Sequence, residues 1–342
     1  MISSMSFIQK TAQQITKTNF SIYNRNQYQD IEVDDTYYIH TLSINKPNTN
    51  IQFLTPQKLE AVFICATLSE IKDPNFNIFV KNMLSSINSK QEELDCVLVL
   101  NTYNNSVKEE IESFIESASA KFQNVQIVNA NIHPIDDIYN RLNSIKNIPK
   151  YGSASGPNLM FLTAVDYAKK YNTIILLETD CIFRNDWIVA CTNYVKYTSI
   201  FLISGATYDG NIPIPFDNKN MFYHINGVAF YKTGDPIFSN LIAHLNSYIL
   251  ENVPNDGIVS HDVAITSLLF NKLSSDNKNS VLWRYIYRHI FKNTLIINAS
   301  LNEDRNVEPS VYYTKFQSCV ILHKKKGMNF SFNRPRISVQ KS

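Results

Sequence analysis

The chain has 342 residues, of which 44% are hydrophobic and 18% charged, with a formal net charge of +2. That length accommodates one large α/β domain with extensions, or two small domains. Nothing in the near balance of charge suggests a nucleic-acid binder, which would usually show a concentrated basic surface, and no apolar run approaches the ~20 residues of a membrane helix.

Residues 1–58 are polar and irregular, with turn signals at Lys46-Pro47-Asn48 and Thr55-Pro56, and are expected to form an N-terminal extension. The first residues lack the continuous apolar core of a secretory signal. From residue 59 the rhythm changes. Ala61–Thr67 predicts a strand, Asn75–Asn88 a helix, Leu94–Asn101 a second strand and Lys108–Lys121 a helix carrying acids early in its length. Val125–Ala130 predicts a third strand. Tyr151–Asn158 is a small-residue loop opening a helix over Asn158–Lys170, whose last turn is basic as the helix dipole favours. A strand of β-formers then ends at Glu178, and another is predicted at Ser199–Ser204. Strands alternating with helices imply parallel βαβ units. After Tyr208 the pattern loosens, and residues 327–342 read as a tail. The five cysteines (Cys65, Cys96, Cys181, Cys191, Cys319) form no CxxC pair, so neither a zinc site nor a disulfide framework is indicated. A reducing, cytoplasmic setting is expected.

The chemistry-bearing stretch is Thr173–Trp187. A run of Ile174, Ile175, Leu176 and Leu177 stops at two carboxylates, Glu178 and Asp180, with one residue between them. Ligands of open α/β sheets bind where strands end at their carboxyl side. Two acids there suit a divalent cation, and a cation there can hold the phosphates of a nucleotide. Alone, Asp180 could equally cap a turn. Downstream, Tyr223–Tyr231 holds Gly227 within a β-branched and aromatic run, a costly placement unless backbone must approach something closely. Ser260-His261-Asp262 precedes an apolar run, so Ser260 reads as an N-cap and Asp262 as a first-turn acid. Val320–Leu322 delivers His323, followed by Lys324, Lys325 and Lys326.

Taken in order, these segments resemble the GT-A fold glycosyltransferases over roughly residues 59–326. Glu178-Thr179-Asp180 is similar to their DXD signature in a Glu-Thr-Asp variant. The resemblance implies a Rossmann-like, mostly parallel sheet flanked by helices with an irregular acceptor-side half, and a nucleotide-diphosphate sugar donor, a UDP-sugar being favoured. It implies Mn²⁺ or Mg²⁺ on Glu178, Asp180 and His323, an imidazole beside carboxylates suiting manganese better than calcium. Donor contacts are expected from Thr67, Asn101, Gly156, Asn158, Glu178, Gly227 and Lys326. Acceptor contacts to a glycan or glycoconjugate are expected from His261 and Asn226. Asp262 matches the acid ending the family's xED motif, the base of inverting members, although His261 stands where an acid is usual. If Asp262 only binds the acceptor, retention is open. A sugar-phosphate nucleotidyltransferase is disfavoured, because Ala66–Asp73 lacks its Gly- and Arg-rich loop. A non-catalytic carbohydrate- or partner-binding protein on a degenerate GT-A scaffold is the alternative.

Overall fold

The computed structural model describes residues 57–139, 149–198, 201–208, 227–256, 260–274, 281–299 and 309–323. Most of the expected extension, the tail, Asn226 and Lys326 lie outside the described residues.

Strands β1 (Ala61–Ala66), β2 (Asp95–Leu100), β3 (Val125–Asn129) and β4 (Ile174–Glu178) form where the apolar runs predict them. Helices α1 (Leu68–Lys72), α2 (Pro74–Ser85), α3 (Lys108–Ser119), α4 (Ser155–Tyr167) and α5 (Trp187–Tyr197) accompany them. The three-residue strand β5 (Cys181–Phe183) lies between β4 and α5 in the chain. Beyond it come β6 (Ile203–Tyr208), β7 (Ala229–Tyr231), α6 (Pro236–Asp256), α7 (His261–Ser274) and α8 (Val281–Arg288). Strand β8 (Ile290–Asn298), helix α9 (Pro309–Lys315) and strand β9 (Ile321–His323) complete the described elements.

The strands make one sheet in the order β3-β2-β1-β4-β7-β6-β8-β9-β5. β1 pairs parallel with β2 and β4, β2 with β3, β6 with β8, and β8 with β9, whereas β7 is antiparallel to both neighbours and β5 is antiparallel to β9. The sheet is thus mostly parallel and flanked by helices on both faces, as expected. On one face Phe63, Val97, Val99 and Leu176 pack under α4, α6, α7 and α8. On the other, Val62, Ile64, Leu98 and Leu177 pack under α2, α3 and α5. Burial on both faces makes β1, β2 and β4 legible as unbroken apolar runs, each large side chain contributing ~1.5–3 kcal/mol.

Two consequences of connectivity place the site. β4 is central and β5 is the far edge of the sheet, yet Thr179 and Asp180 alone join them. The three Cα–Cα steps from Glu178 to Cys181 span at most ~11 Å, so the sheet must curl until its β9–β5 edge meets the carboxyl end of β4. Second, β7 runs antiparallel to β4 with Leu176 opposite Ala229, so continuing the register brings Gly227 opposite Glu178.

Four expectations need correction. Tyr151–Asn158 is not an open loop. Gly152–Ala154 is a 3-10 turn and α4 starts at Ser155, three residues early; Pro157, pre-set for a helical first turn, suits the earlier start. At its other end the α-helix stops at Tyr167, and Ala168–Lys170 is a 3-10 turn. The strand expected at Ser199–Ser204 is β6, which starts only at Ile203. Phe201 and Leu202 are buried outside it, because pairing with β7 and β8, not hydropathy, sets its limits. Gly227 is not inside a strand but in the bend before β7.

Candidate functional site

Glu178 closes β4, Asp180 opens the step into β5, and His323 closes β9. Cys181 pairs with His323 across β5 and β9, which draws Asp180 against the imidazole. His323 Nε2 lies 3.1 Å from Asp180 Oδ1 and 3.3 Å from Glu178 Oε2. One ligand atom from each residue falls within 4.8 Å of the others, the geometry of a cation site. The His323 and Asp180 side chains are only 6% and 10% exposed, whereas Glu178 keeps 34% and so faces the opening. The atoms attract as charges but are misaligned for bonding: Asp180 Oδ1 and both His323 ring nitrogens are buried without a hydrogen-bond partner among the described residues. Buried polar atoms left so are costly, and three ligand atoms converging on one point fit a divalent cation. Burial would push His323 down, but the carboxylates of Asp180 and Glu178 outweigh it and raise the imidazole from 6.5 to about 10.

Beside this cluster, where β1 and β4 end, is a cleft of about 110 Å³, its wall including Thr67, Glu70, Tyr139, Phe161, Glu178 and His261. That is small beside the ~300–1,000 Å³ of typical ligand pockets. A groove of about 410 Å³ between α2 and α3 is larger. Its floor is core side chains (Phe76, Leu84, Phe114), and its polar rim of lysines and serines converges on no point, so the chemistry belongs to the smaller cleft.

Gly227 joins the cluster to the cleft. A Cβ built there would stand 3.1 Å from Glu178 Oε1 and 3.2 Å from His261 Nε2. Glu178 therefore turns one oxygen to His323 and the other toward the glycine and His261. The His261 ring stacks on Phe161 at 4.1 Å and 7°. Its backbone N–H donates to Asn158 Oδ1 at 2.7 Å. Asn158, fully buried on α4, thus caps α7. Asp262 lies in the first turn of α7 as expected. Its Oδ1 accepts from the Ser260 hydroxyl and, at 2.9 Å, from the Val263 N–H.

Thr67 reaches the cleft wall while serving a capping box. Its hydroxyl accepts from the Glu70 N–H at 3.2 Å, and Glu70 Oε2 accepts from the Thr67 N–H at 2.8 Å. Asn101, at the end of β2, accepts from the Leu68 N–H at 2.8 Å and donates to Asp137 Oδ2 at 2.6 Å. Gly156 lies beneath Tyr139, where a Cβ would come within 2.6 Å of the ring. The structure thus gathers Thr67, Glu178, Asp180, Gly227, His261 and His323 around one opening, with Asn101, Gly156 and Asn158 supporting its walls. The sequence reading missed Glu70, Tyr139 and Phe161. The T-x-x-E spacing of Thr67 and Glu70 could have revealed the first. Nothing local distinguishes Tyr139 or Phe161.

No protein-family model and no curated protein sequence matches the chain. Among solved structures the fold is similar to mouse xyloside xylosyltransferase 1 in its apo form, at 12% identity over 79% of this chain and 99% of that one, with a TM-score of 0.47. It is also similar to the galactosyltransferase LgtC in complex with donor and acceptor sugar analogues, at 10% identity over 77% of this chain and 86% of that one, TM-score 0.41. A mannosyltransferase from Pyrobaculum calidifontis, in complex with GDP-Man and Mn²⁺, matches at 13% identity over 58% of this chain and 54% of that one, TM-score 0.33. Likeness at this level carries no argument about activity.

Proposed function

We propose that this chain is a metal-dependent glycosyltransferase of the GT-A type, moving a hexosyl or pentosyl group from a nucleotide-diphosphate sugar to a hydroxyl of a glycan or glycoconjugate. The observation that carries this reading is the convergence of Glu178, Asp180 and His323 at the carboxyl end of the sheet, against the cleft walled by Glu178 and His261, with Gly227 beside both. Mn²⁺ or Mg²⁺ bound there would supply a Lewis acid for the departing diphosphate.

The chain's own residues do the rest. Thr67 and Tyr139 edge the side of the cleft assigned to the nucleoside, with Asn101 holding the backbone behind it. Gly227 lets the sugar approach Glu178 without a side chain between them. The resemblance gives the acceptor's proton to Asp262, which makes the transfer inverting. Asn226 and Lys326 are assigned to acceptor and donor on the resemblance alone, and a UDP-sugar is the first donor to test. The five cysteines are free thiols, and a reducing, cytoplasmic setting is the proposed one. Among the described residues no helix is long and apolar enough to cross a membrane.

The test is nucleotide release from UDP-, GDP-, CMP- and dTDP-sugars, with Mn²⁺, with Mg²⁺ and after chelation. Release from one donor, abolished by chelation and by Asp180→Ala, is the expected result. Donor binding without release under any metal would instead identify a carbohydrate-binding protein on a degenerate scaffold.

A further inference from the structure

The cleft is closed down below the size of a ligand. Its volume of about 110 Å³ falls well short of the ~300 Å³ at the low end of ligand pockets. One carbon added at Gly227 would already crowd His261 Nε2 at 3.2 Å. Part of the wall must therefore yield before a ligand enters, and most of the wall is fixed. Ala66 and Leu176 belong to β1 and β4, each paired within the sheet. Phe161 is buried on α4, and His261 is stacked on it and tied through its backbone to Asn158.

Tyr139 differs from these. Of the described residues that wall the cleft it alone is exposed, at 38%, and it belongs to no helix or strand. Its ring rests on Gly156, where an added Cβ would stand 2.6 Å from Cε2 and 2.7 Å from Cζ. The missing side chain on α4 is what makes room for the ring. One residue back the chain is pinned, because the Gly156 N–H donates to the Ile138 carbonyl at 3.0 Å. A ring mounted beside a fixed backbone atom leaves by turning about its own χ angles, a fast motion for an exposed side chain. Neither the sheet nor α4 has to rearrange.

We propose that Tyr139 is the gate of the cleft. Its ring, seated on Gly156, closes the space between β1, α4 and β4 and swings off that seat to admit the ligand. That the ligand is a nucleotide-diphosphate sugar rests on the glycosyl-transfer reading above; the gate itself follows from the wall. Position 156 is a glycine on this account because any side chain there would hold the ring out of its closed place.

The first test reads the gate without a ligand. Cys65 lies in the cleft wall and is the only one of the five cysteines that is not buried, so its labelling by a maleimide reports entry to the cleft. Tyr139→Ala is expected to speed that labelling about tenfold or more, as when an open population of ~10% or less becomes the whole. Gly156→Ala, which denies the ring its seat, is expected to speed it too, and to add nothing in the Tyr139→Ala background. Cys65→Ser is the unlabelled control. Unchanged labelling in Tyr139→Ala overturns the gate, as does a Gly156→Ala effect that persists in full without the ring. The second test is stopped-flow binding of UDP-, GDP-, CMP- and dTDP-sugars with Mn²⁺. Tyr139→Ala is expected to raise the association rate about tenfold or more for the donor that binds. An unchanged association rate with faster dissociation would make the ring a fixed binding wall and overturn the proposal. If no donor binds wild type or Tyr139→Ala, the glycosyl-transfer reading falls, and Cys65 labelling still decides the gate.

Discussion

His323 stores the clearest electrostatic consequence of the site. Its imidazole is raised to about 10 by Asp180 and Glu178 against the opposing effect of burial. A group whose folded value lies above its unfolded one stabilises most while both states are protonated. In chelator, the stability gap between wild type and His323→Gln should therefore be full below pH 6.5 and shrink as pH rises through about 10. Urea unfolding across pH checks this, and a gap that widens with pH would refute it. A cation must displace the same proton, so metal affinity runs the opposite way: Mn²⁺ affinity should rise by about tenfold per pH unit in the neutral range, a slope that calorimetric titration would show and that His323→Gln should lack. Gly227 gives a complementary test. A methyl there stands 3.1 Å from Glu178 Oε1 and 3.2 Å from His261 Nε2, both ends of side chains that can yield. Gly227→Ala should change stability by less than ~1 kcal/mol while weakening donor binding on the order of tenfold. Equal losses in both would mean that the glycine serves only packing.

At the scale of elements, the site depends on where α7 starts. Asn158 on α4 caps it, and the capping oxygen is buried. Asn158→Ala should cost about 1–3 kcal/mol in unfolding free energy, and Asn158→Asp, which keeps an acceptor oxygen, should recover most of it. An alanine variant as stable as wild type would remove Asn158 from this role. The same helices show what local sequence could reveal. β1, β2 and β4 are buried on both faces, so their apolar runs marked them and located Glu178 at a strand's carboxyl end. β5 and β9 have three residues each and exist through pairing, β9 with β8 and β5 with β9; no propensity announces such strands. The shifted start of β6 has the same origin, since its partners lie at Ala229–Tyr231 and in β8. The winding of Gly152–Asn158 was hidden because small residues suit both a loop and a tightly packed helix start.

At the scale of the whole molecule, the curl of the sheet turns three distant positions into one cluster. Glu178 and Asp180 are neighbours in sequence and could be read together. His323 follows them by well over a hundred residues, and only the β8–β9–β5 edge, folded back over the end of β4, brings its ring to 3.1 Å from Asp180. The resemblance supplied the order of the motifs. The geometry adds that Glu178 faces both the cluster and the cleft, and that Asn101, Gly156 and Asn158 act on their neighbours within the protein. The proposed function stands or falls on whether this cluster holds a cation and, through it, a nucleotide-diphosphate sugar. A thermal-shift panel of UDP-, GDP-, CMP- and dTDP-sugars, with and without Mn²⁺, on wild type and Asp180→Ala tests it most directly. A rise with one nucleotide that requires Mn²⁺ and vanishes in Asp180→Ala is expected, corresponding to ~2.7 kcal/mol when donor is present at a hundred times its Kd. No rise with any donor, or a rise indifferent to both Mn²⁺ and Asp180, would contradict it.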